Sequence, residues 1–255
     1  STVSSDPPSP NAGQMWYNTT TKQLKGYVRG PGSWATGGNL NTARQGIRGS
    51  GIQTAALGIS GQGGVPTNEL KTETESYNGT SWTEVNDVNT ARSFTGATGT
   101  QTSTLFFGGS APTTAKTESW NGSSWTETTD LNTARNSLGG AGADNTSALA
   151  FGGSTNATEA WNGSAWTEVN DLNTSRTGLG SNGLKDAALA FGGEAPPRTA
   201  KTESWNGTSW TEVGDLNISV STGAGSGLYT DGLAFGGEKG PGVTANTESW
   251  NGTNW

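Results

Sequence analysis

Residues 158–173 read TEAWNGSAWTEVNDLN. Nearly the same phrase stands at 117–132 (TESWNGSSWTETTDLN) and 202–217 (TESWNGTSWTEVGDLN), with a looser copy at 74–89 (TESYNGTSWTEVNDVN) and a short one at 247–255 (TESWNGTNW). Each phrase places an Asn-Gly pair between two short runs of Thr, Glu and aromatic residues. Asn and Gly tolerate the positive φ angles of a type I′ turn, so each phrase predicts a β-hairpin with a large aromatic residue on either side of the turn. A buried Trp removes on the order of 200 Å2 from water. The Trp residues therefore supply packing that an Ala- and Gly-rich chain otherwise lacks, and are expected to fill the gaps between neighbouring sheets.

Working outward, a second element precedes each hairpin. It is an apolar run closed by a glycine pair: TSTLFFGG (102–109), SALAFGG (147–153), AALAFGG (187–193) and DGLAFGG (231–237), with AALGISG (55–61) in the same slot. A Gly-rich segment comes before that, as in SLGGAG (137–142), GLGSNG (178–183) and TGAGSG (222–227). Each unit thus holds four short β-like segments. Trp34, Trp82, Trp125, Trp166, Trp210 and Trp255 mark the fourth strand, and their spacing runs from 41 residues (125 to 166) to 48 (34 to 82). Four-stranded units of this length predict a β-propeller.

Five copies of strands two and three, and five turns of the type DLNTAR, predict five blades in an all-β fold. The glycines of strand one are expected to line a narrow axis where larger side chains would collide. Ser33-Trp34-Ala35-Thr36 reads as a fourth strand with no blade of its own before it, while the last blade stops at Trp255. The expectation is that residues 33–38 pair with the strand containing Trp250, so that an N-terminal strand closes the ring and covers open edges. Residues 1–32 form a separate Pro-rich leader and hairpin module, and residues 33–255 form the propeller.

Composition removes several kinds of chemistry. With no Cys and no His, disulfides, the usual zinc, copper and haem sites, and histidine acid/base mechanisms are excluded. A net charge of −7 argues against nucleic acid as a partner. No apolar run approaches the ~20 residues of a membrane-spanning helix, so no membrane insertion is expected. Neither a cofactor nor a metal is expected.

The order Arg, Gly-Gly, aromatic, Trp resembles the kelch repeat and the propeller domain of galactose oxidase. The glycine pairs Gly108/Gly109, Gly152/Gly153, Gly192/Gly193 and Gly236/Gly237 carry this likeness together with the fourth-strand Trp residues, and both sets are expected to be structural. The resemblance covers roughly residues 33–255 and implies four-stranded kelch-like blades. Galactose oxidase chemistry does not transfer, because its copper and cofactor need His and Cys. In the leader, DPPSP (6–10) precedes GQMWYNTTTKQLKGYV (13–28). Gly13, Gln14, Trp16, Tyr17, Asn18, Thr19, Leu24, Lys25 and Tyr27 resemble short segments of bacteriophage tail and fibre proteins; an ordinary hairpin capping the propeller is the other reading.

Charges recur at fixed places. Asp87, Asp130, Asp171 and Asp215 precede each turn, and Arg44, Arg92, Arg135 and Arg176 follow it, with Val220 in the fifth copy. They would form an anion-binding ring or calcium-binding turns, or else cap the turn and pair with nearby carboxylates. The second reading is preferred, because a feature copied into every blade answers a need of every blade. Glu75, Glu118, Glu159, Glu203 and Glu248 in strand three, with Glu84, Glu127, Glu168 and Glu212 in strand four, invite a paired-carboxylate glycosidase reading. No single pair stands out, and the chain is expected not to be an enzyme.

Blades differ most between strands two and three: GQGGVPTNELK (61–71), GSAPTTAK (109–116), GSTNAT (153–158), GEAPPRTAK (193–201) and GEKGPGVTAN (237–246). Strand alternation puts these loops on the face of the DLNTAR turns, opposite the Asn-Gly hairpins. A frame constant on one face and variable on the other suits a binding module. The candidate binding residues are Glu69, Lys71, Lys116, Glu194, Arg198, Lys201, Glu238 and Lys239. Three functions fit: a phage fibre, spike or surface-decoration protein contacting host-surface glycans; a secreted lectin with one sugar site per blade; or a purely architectural protein docking on other virion proteins. The expected location is the virion or the extracellular space.

Overall fold

The computed structural model describes residues 2–5, 15–26 and 34–255, which fall into two compact units, Ser1–Gly37 and Gly38–Trp255. In the first, β1 (Thr2–Val3) pairs in parallel with β2 (Met15–Asn18), and β2 pairs antiparallel with β3 (Gln23–Gly26). The expected leader hairpin is thus β2–β3, with Tyr17 opposite Leu24. Gly13, Gln14, Tyr27 and the DPPSP segment lie outside the described residues.

The second unit is a five-bladed β-propeller. The first blade is β4 (Arg48–Ile52), β5 (Ala55–Ile59), β6 (Thr74–Tyr77) and β7 (Trp82–Val85). The second is β8 (Gly96–Thr100), β9 (Ser103–Phe107), β10 (Thr117–Trp120) and β11 (Trp125–Thr128), and the third is β12 (Gly139–Asp144), β13 (Ser147–Phe151), β14 (Thr158–Trp161) and β15 (Trp166–Val169). The fourth is β16 (Gly180–Leu184), β17 (Ala187–Phe191), β18 (Thr202–Trp205) and β19 (Trp210–Val213); the fifth is β20 (Ala224–Leu228), β21 (Asp231–Phe235) and β22 (Thr247–Trp250). Strands within each blade pair antiparallel in chain order. Inner strands of successive blades pack side by side, β4 on β8, β8 on β12, β12 on β16 and β16 on β20.

The core lies between blades and repeats. Leu105 and Phe107 of the second blade are buried against Leu138, Ala150, Trp161 and Trp166 around the third. Phe107 meets Trp166 edge-on at 5.1 Å, Phe151 meets Trp210 at 4.8 Å, and Phe191 meets Trp255 at 4.8 Å. The indole N–H groups are also used. Trp166 donates to Thr117 Oγ1, Trp210 to Thr158 Oγ1 and Trp255 to Thr202 Oγ1, each a threonine of the preceding blade. A buried ring with a satisfied N–H contributes both apolar area and a directional tie.

The Asn-Gly hairpin is wider than a two-residue I′ turn. Trp161 pairs with Trp166, leaving the four residues Asn162 to Ala165 as the loop. Gly163 alone takes positive φ (95°), as Gly does in each copy. Asn162 acts through its side chain, whose Oδ1 accepts from the backbone N–H groups of Ser164 and Ala165 at 3.0 Å.

The glycine pairs stand just past strand two rather than at its end. β9, β13, β17 and β21 finish at Phe107, Phe151, Phe191 and Phe235, and the pairs that follow all have positive φ, 61–125°, which breaks the strand. Gly108 and Gly109 therefore form a turn, and Gly109 is the first residue of the loop. Its N–H donates to the carbonyl of Arg135, in the linker to the third blade, at 2.8 Å. Gly153 and Gly193 make the same tie to Arg176 and Val220. The fifth blade differs in one tie. Gly237 makes no such tie, because no following linker exists for it among the described residues. Gly236 and Gly237 are only half-buried, whereas the other three pairs are buried. Gly237 retains the left-handed φ, the close approach to the Ser221 carbonyl (2.8 Å from an added Cβ) and the loop contact, its carbonyl accepting from Thr244 at 2.9 Å as that of Gly109 accepts from Thr114 at 3.0 Å.

The inner-strand glycines also have a cause the sequence reading missed. A Cβ on Gly180 would lie 2.1 Å from Cε2 of Phe191, and one on Gly139 would lie 2.6 Å from Cε2 of Phe151. The collision is with the aromatic ring of the adjacent strand, not with side chains across the axis. Residues of β4, β8, β12, β16 and β20 line an open cavity of about 560 Å3 that also reaches Ala56, Leu57 and Trp82 of the first blade and Phe235 of the fifth.

Closure also differs from expectation. The last blade has three strands, residues 34–38 form no strand, and Trp34 is exposed, while residue 33 lies outside the described residues. Among the described strands β22 pairs only with β21, and Trp255 meets Trp250 in a tilted contact at 5.4 Å. Gly38 is held at the other end of the repeat series, where its carbonyl accepts from Trp82 Nε1 at 3.1 Å. β4 and β20 do not pack side by side as successive inner strands do.

Two stability measurements check this packing. Trp166→Ala should cost about 3–5 kcal/mol in denaturant unfolding, the range for large core truncations. Gly180→Ala should cost about 1–3 kcal/mol by overpacking against Phe191, whereas Gly64→Ala, with nothing within 4 Å of the added Cβ, should leave unfolding unchanged.

Candidate functional site

The repeated charges meet inside the blades. In the third blade Glu159 is fully buried. Its Oε1 accepts from Arg135 Nη2 at 2.7 Å, and its Oε2 accepts from both the backbone N–H (2.7 Å) and the side-chain amide (2.8 Å) of Asn132. Arg135 Nη1 donates to the carbonyls of Gly152 and Ala157, so the guanidinium also ties strand two to strand three. Arg44–Glu75, Arg92–Glu118 and Arg176–Glu203 repeat the pair, each with both side chains at most 1% exposed. Burial pulls the pKa of Arg92, Arg135 and Arg176 down, and the facing glutamate opposes that shift. The fifth copy has Val220 for Arg, and there Glu248 is only partly buried and, among the described residues, bonds Asn217 alone.

The aspartates cap strands. Asp130 Oδ1 accepts from the N–H of Thr117, Asp171 from Thr158 and Asp215 from Thr202, each at 3.1 Å. The repeated arginines, strand-three glutamates and aspartates thus make the structural pairs and caps of the preferred reading, whereas Glu84 and Glu168 of strand four have no ion-pair partner among the described residues. Among strand-four glutamates, Glu127 pairs with Lys116 at 2.9 Å and Glu212 with Lys201 at 2.8 Å. The lysine beside Glu127 holds its carboxyl below the ordinary range, and Glu212 raises Lys201.

Backbone bridges such as Ser93 to Ser110, Thr177 to Glu194 and Ser221 to Glu238 set the strand 2–3 loops beside the turns that follow Arg or Val220. Of the eight candidate binding residues, Glu69 and Lys71 pair with each other at 2.9 Å, lowering the first pKa and raising the second. Arg198 reaches from the fourth blade to Glu238 of the fifth at 2.9 Å and to Ser221 Oγ at 2.7 Å. Lys116 and Lys201 turn to their own strand-four glutamates. Glu194 and Lys239 are exposed and have no ion-pair partner among the described residues. The structure therefore joins Arg198 with Glu238, and Glu69 with Lys71, but does not gather the eight into one cluster.

Two features escaped the sequence reading. Gly46, Phe94, Ser137, Gly178 and Thr222 occupy one repeat position and all have left-handed φ, 52–62°. Their backbones form a chain of hydrogen bonds across the blades, Thr222 to Gly178, Gly178 to Ser137, Ser137 to Phe94 and Phe94 to Gly46, at 2.6–3.0 Å. Glycine at two of the five copies was the only local signal. The second feature is Arg48 at the start of β4, the one charged residue among those lining the open cavity.

No protein-family model matches the chain, and no curated protein matches its sequence.

Repetition supplies an internal control. Glu159→Gln leaves Arg135 buried against a neutral amide, and breaking such a pair costs about 3–5 kcal/mol. Glu248→Gln, in the copy without Arg, should cost under about 1 kcal/mol. Paired denaturant titrations read the difference directly, and equal losses would show that the arginine pair adds nothing.

Proposed function

We propose that this chain is a non-enzymatic, kelch-like propeller of a virion, a phage fibre, spike or surface-decoration component, whose variable loop face attaches to a host-surface glycan or protein. The observation that carries this reading is the division of labour among charges. The repeated arginines and strand-three glutamates are buried against each other in structural pairs, and the repeated aspartates cap strands. Differences between blades concentrate in the strand 2–3 loops, where Glu194, Arg198, Glu238 and Lys239 make the edge shared by the fourth and fifth blades unlike the others. The leader hairpin with its phage-like residues and the small polar composition support an extracellular, particle-borne setting.

Burial of the repeated tryptophans favours this reading over one sugar site per blade. Trp120, Trp161 and Trp205 are at most 2% exposed, and the Oδ1 atoms of Asn78, Asn121, Asn162, Asn206 and Asn251 are taken by their own turns. A sugar platform needs an accessible ring face.

Replacing residues 193–201 with the short 153–158 loop should move the melting temperature little, because the exposed Arg198–Glu238 pair is worth about 1 kcal/mol or less. Binding to an array of bacterial surface glycans, or adsorption to susceptible cells, should fall. Attachment that survives this swap and the equivalent swap in every other blade would overturn the loop-face assignment.

A further inference from the structure

The fifth blade keeps the acceptors that grip arginine in the other blades, but not the arginine. Val220 stands where Arg44, Arg92, Arg135 and Arg176 stand in the other copies. Its carbonyl accepts from the N–H of Gly193 at 2.7 Å, as that of Arg176 accepts from Gly153 at 3.0 Å, so the linker keeps its course. The acceptors keep theirs. Ala234 lies opposite Glu248 as Ala150 lies opposite Glu159 and Ala190 opposite Glu203. Oε2 of Glu248 accepts from the backbone N–H of Asn217 at 2.8 Å and from its side-chain amide at 2.7 Å, the bonds that Asn132 makes to Glu159. Gly236 donates to the carbonyl of Asn246 at 3.0 Å, as Gly192 donates to that of Lys201 at 3.0 Å and Gly152 to that of Ala157 at 3.1 Å.

In the third and fourth blades these acceptors close around a guanidinium. Arg176 Nη2 donates to Glu203 Oε1 at 2.7 Å, and Nη1 donates to the carbonyls of Gly192 at 3.2 Å and Lys201 at 2.6 Å. Arg135 makes the same three bonds to Glu159, Gly152 and Ala157. The counterparts in the fifth blade are Glu248 Oε1 and the carbonyls of Gly236 and Asn246. Glu248 Oε1 receives no hydrogen bond among the described residues. Val220, Ala234, Gly236, Thr244, Asn246 and Glu248 line one cavity, in which Glu248 is the one charged residue. Solvent reaches it, since Gly236, Thr244 and Glu248 are half-buried and Asn246 is exposed. Arg198, from the neighbouring loop, is engaged with Ser221 Oγ and Glu238 instead.

A carboxylate oxygen without a donor, set beside two carbonyls, attracts a cation. Three acceptors in this arrangement match the donors of one planar guanidinium, and an ammonium lacks that fork. A calcium ion takes about six to eight oxygen ligands, and the lining offers a single carboxylate.

We propose that the fifth blade binds one guanidinium group supplied from outside the blade, with one nitrogen on Glu248 Oε1 and another on the carbonyls of Gly236 and Asn246. An arginine side chain of a partner and a small free guanidinium compound present the same group. The assignment rests on the comparison between blades and stands whatever the loop face binds.

Ligand-observed NMR titration of the full chain at constant ionic strength tests this, with methylguanidinium and N-acetyl-arginine amide as probes and methylammonium and N-acetyl-lysine amide as controls. The expected result is one saturable site for methylguanidinium, with both controls about tenfold weaker or more. Competition by N-acetyl-arginine amide for that site assigns it to arginine side chains; methylguanidinium uptake without such competition assigns it to a free cation. Val220→Arg places the chain's own guanidinium among these acceptors and should abolish uptake. Glu248→Gln removes the charge and should weaken binding about tenfold or more; it serves as the test if the arginine variant does not fold. No saturable site for methylguanidinium, methylammonium bound as tightly, or affinity unchanged in both variants would each overturn the proposal.

Discussion

The buried glutamate of strand three is the contact on which each inner blade depends. One carboxylate holds two different groups, Arg135 through one oxygen and Asn132 through the other in the third blade. Both come from the linker that crosses from the preceding blade, so the carboxylate fixes how one blade enters the next. Leaving an ion pair in the interior is costly unless its remaining donors are satisfied. Here the arginine also serves carbonyls at the end of strand two, and the carboxylate also serves a backbone N–H. The chain has few aliphatic side chains to specify its packing, and a polar clamp in a set geometry supplies direction that apolar contact alone does not.

A second constraint passes from blade to blade through the aromatic rings. The Phe that ends strand two lies on the Trp of the following blade, and the same ring occupies the space where a strand-one Cβ would stand. Glycine at the start of the inner strand in the second, third and fourth blades is thus a consequence of packing between sheets, while the fifth blade carries Ala224 opposite Phe235. The side effect of these glycines is a cavity wall with little side-chain bulk. Where Ile59 replaces Phe, that constraint lifts, and a long charged side chain enters the axis. Change at one core position thereby alters the chemistry of the cavity.

Much of the fold was legible because it repeats along the chain. Trp spacing, glycine pairs and apolar runs mark five blades, and the strand pairings follow their order. Legibility failed where the cause is a contact between distant residues. Asn162 looked like a positive-φ residue but works as a side-chain acceptor. Gly109 and Gly237 are the same letter at the same repeat position, yet of the two only Gly109 donates to a linker carbonyl among the described residues. The left-handed position is occupied by Phe94, Ser137 and Thr222 as well as by Gly, so residue type hides it; the hydrogen bonds across blades hold it there. Closure by residues 33–38 followed from the repeat count, yet residues 34–38 form no strand, and Trp255 is held by its contacts with Phe191 and Trp250. Among the candidate site residues, charge was visible but pairing was not: Lys116 and Lys201 face their own strand-four glutamates, and only the folded chain brings Arg198 to Glu238.

The way the loops are anchored explains why the variable face can vary. Their ties to the frame are largely backbone to backbone: Gly109 donates to the carbonyl of Arg135, Gly153 to that of Arg176, Gly193 to that of Val220 and Glu194 to that of Thr177. The left-handed turn at these glycines carries the chain sharply from strand two into the loop. A main-chain tie places little demand on side-chain identity beyond that turn. Loop length and charge are then free to differ without disturbing the clamp or the aromatic stack beneath. The hairpin face lacks this freedom, because Asn side chains build its turns and Trp side chains flank them. The same repeat therefore makes one face invariant through side-chain roles and leaves the other open to specialisation.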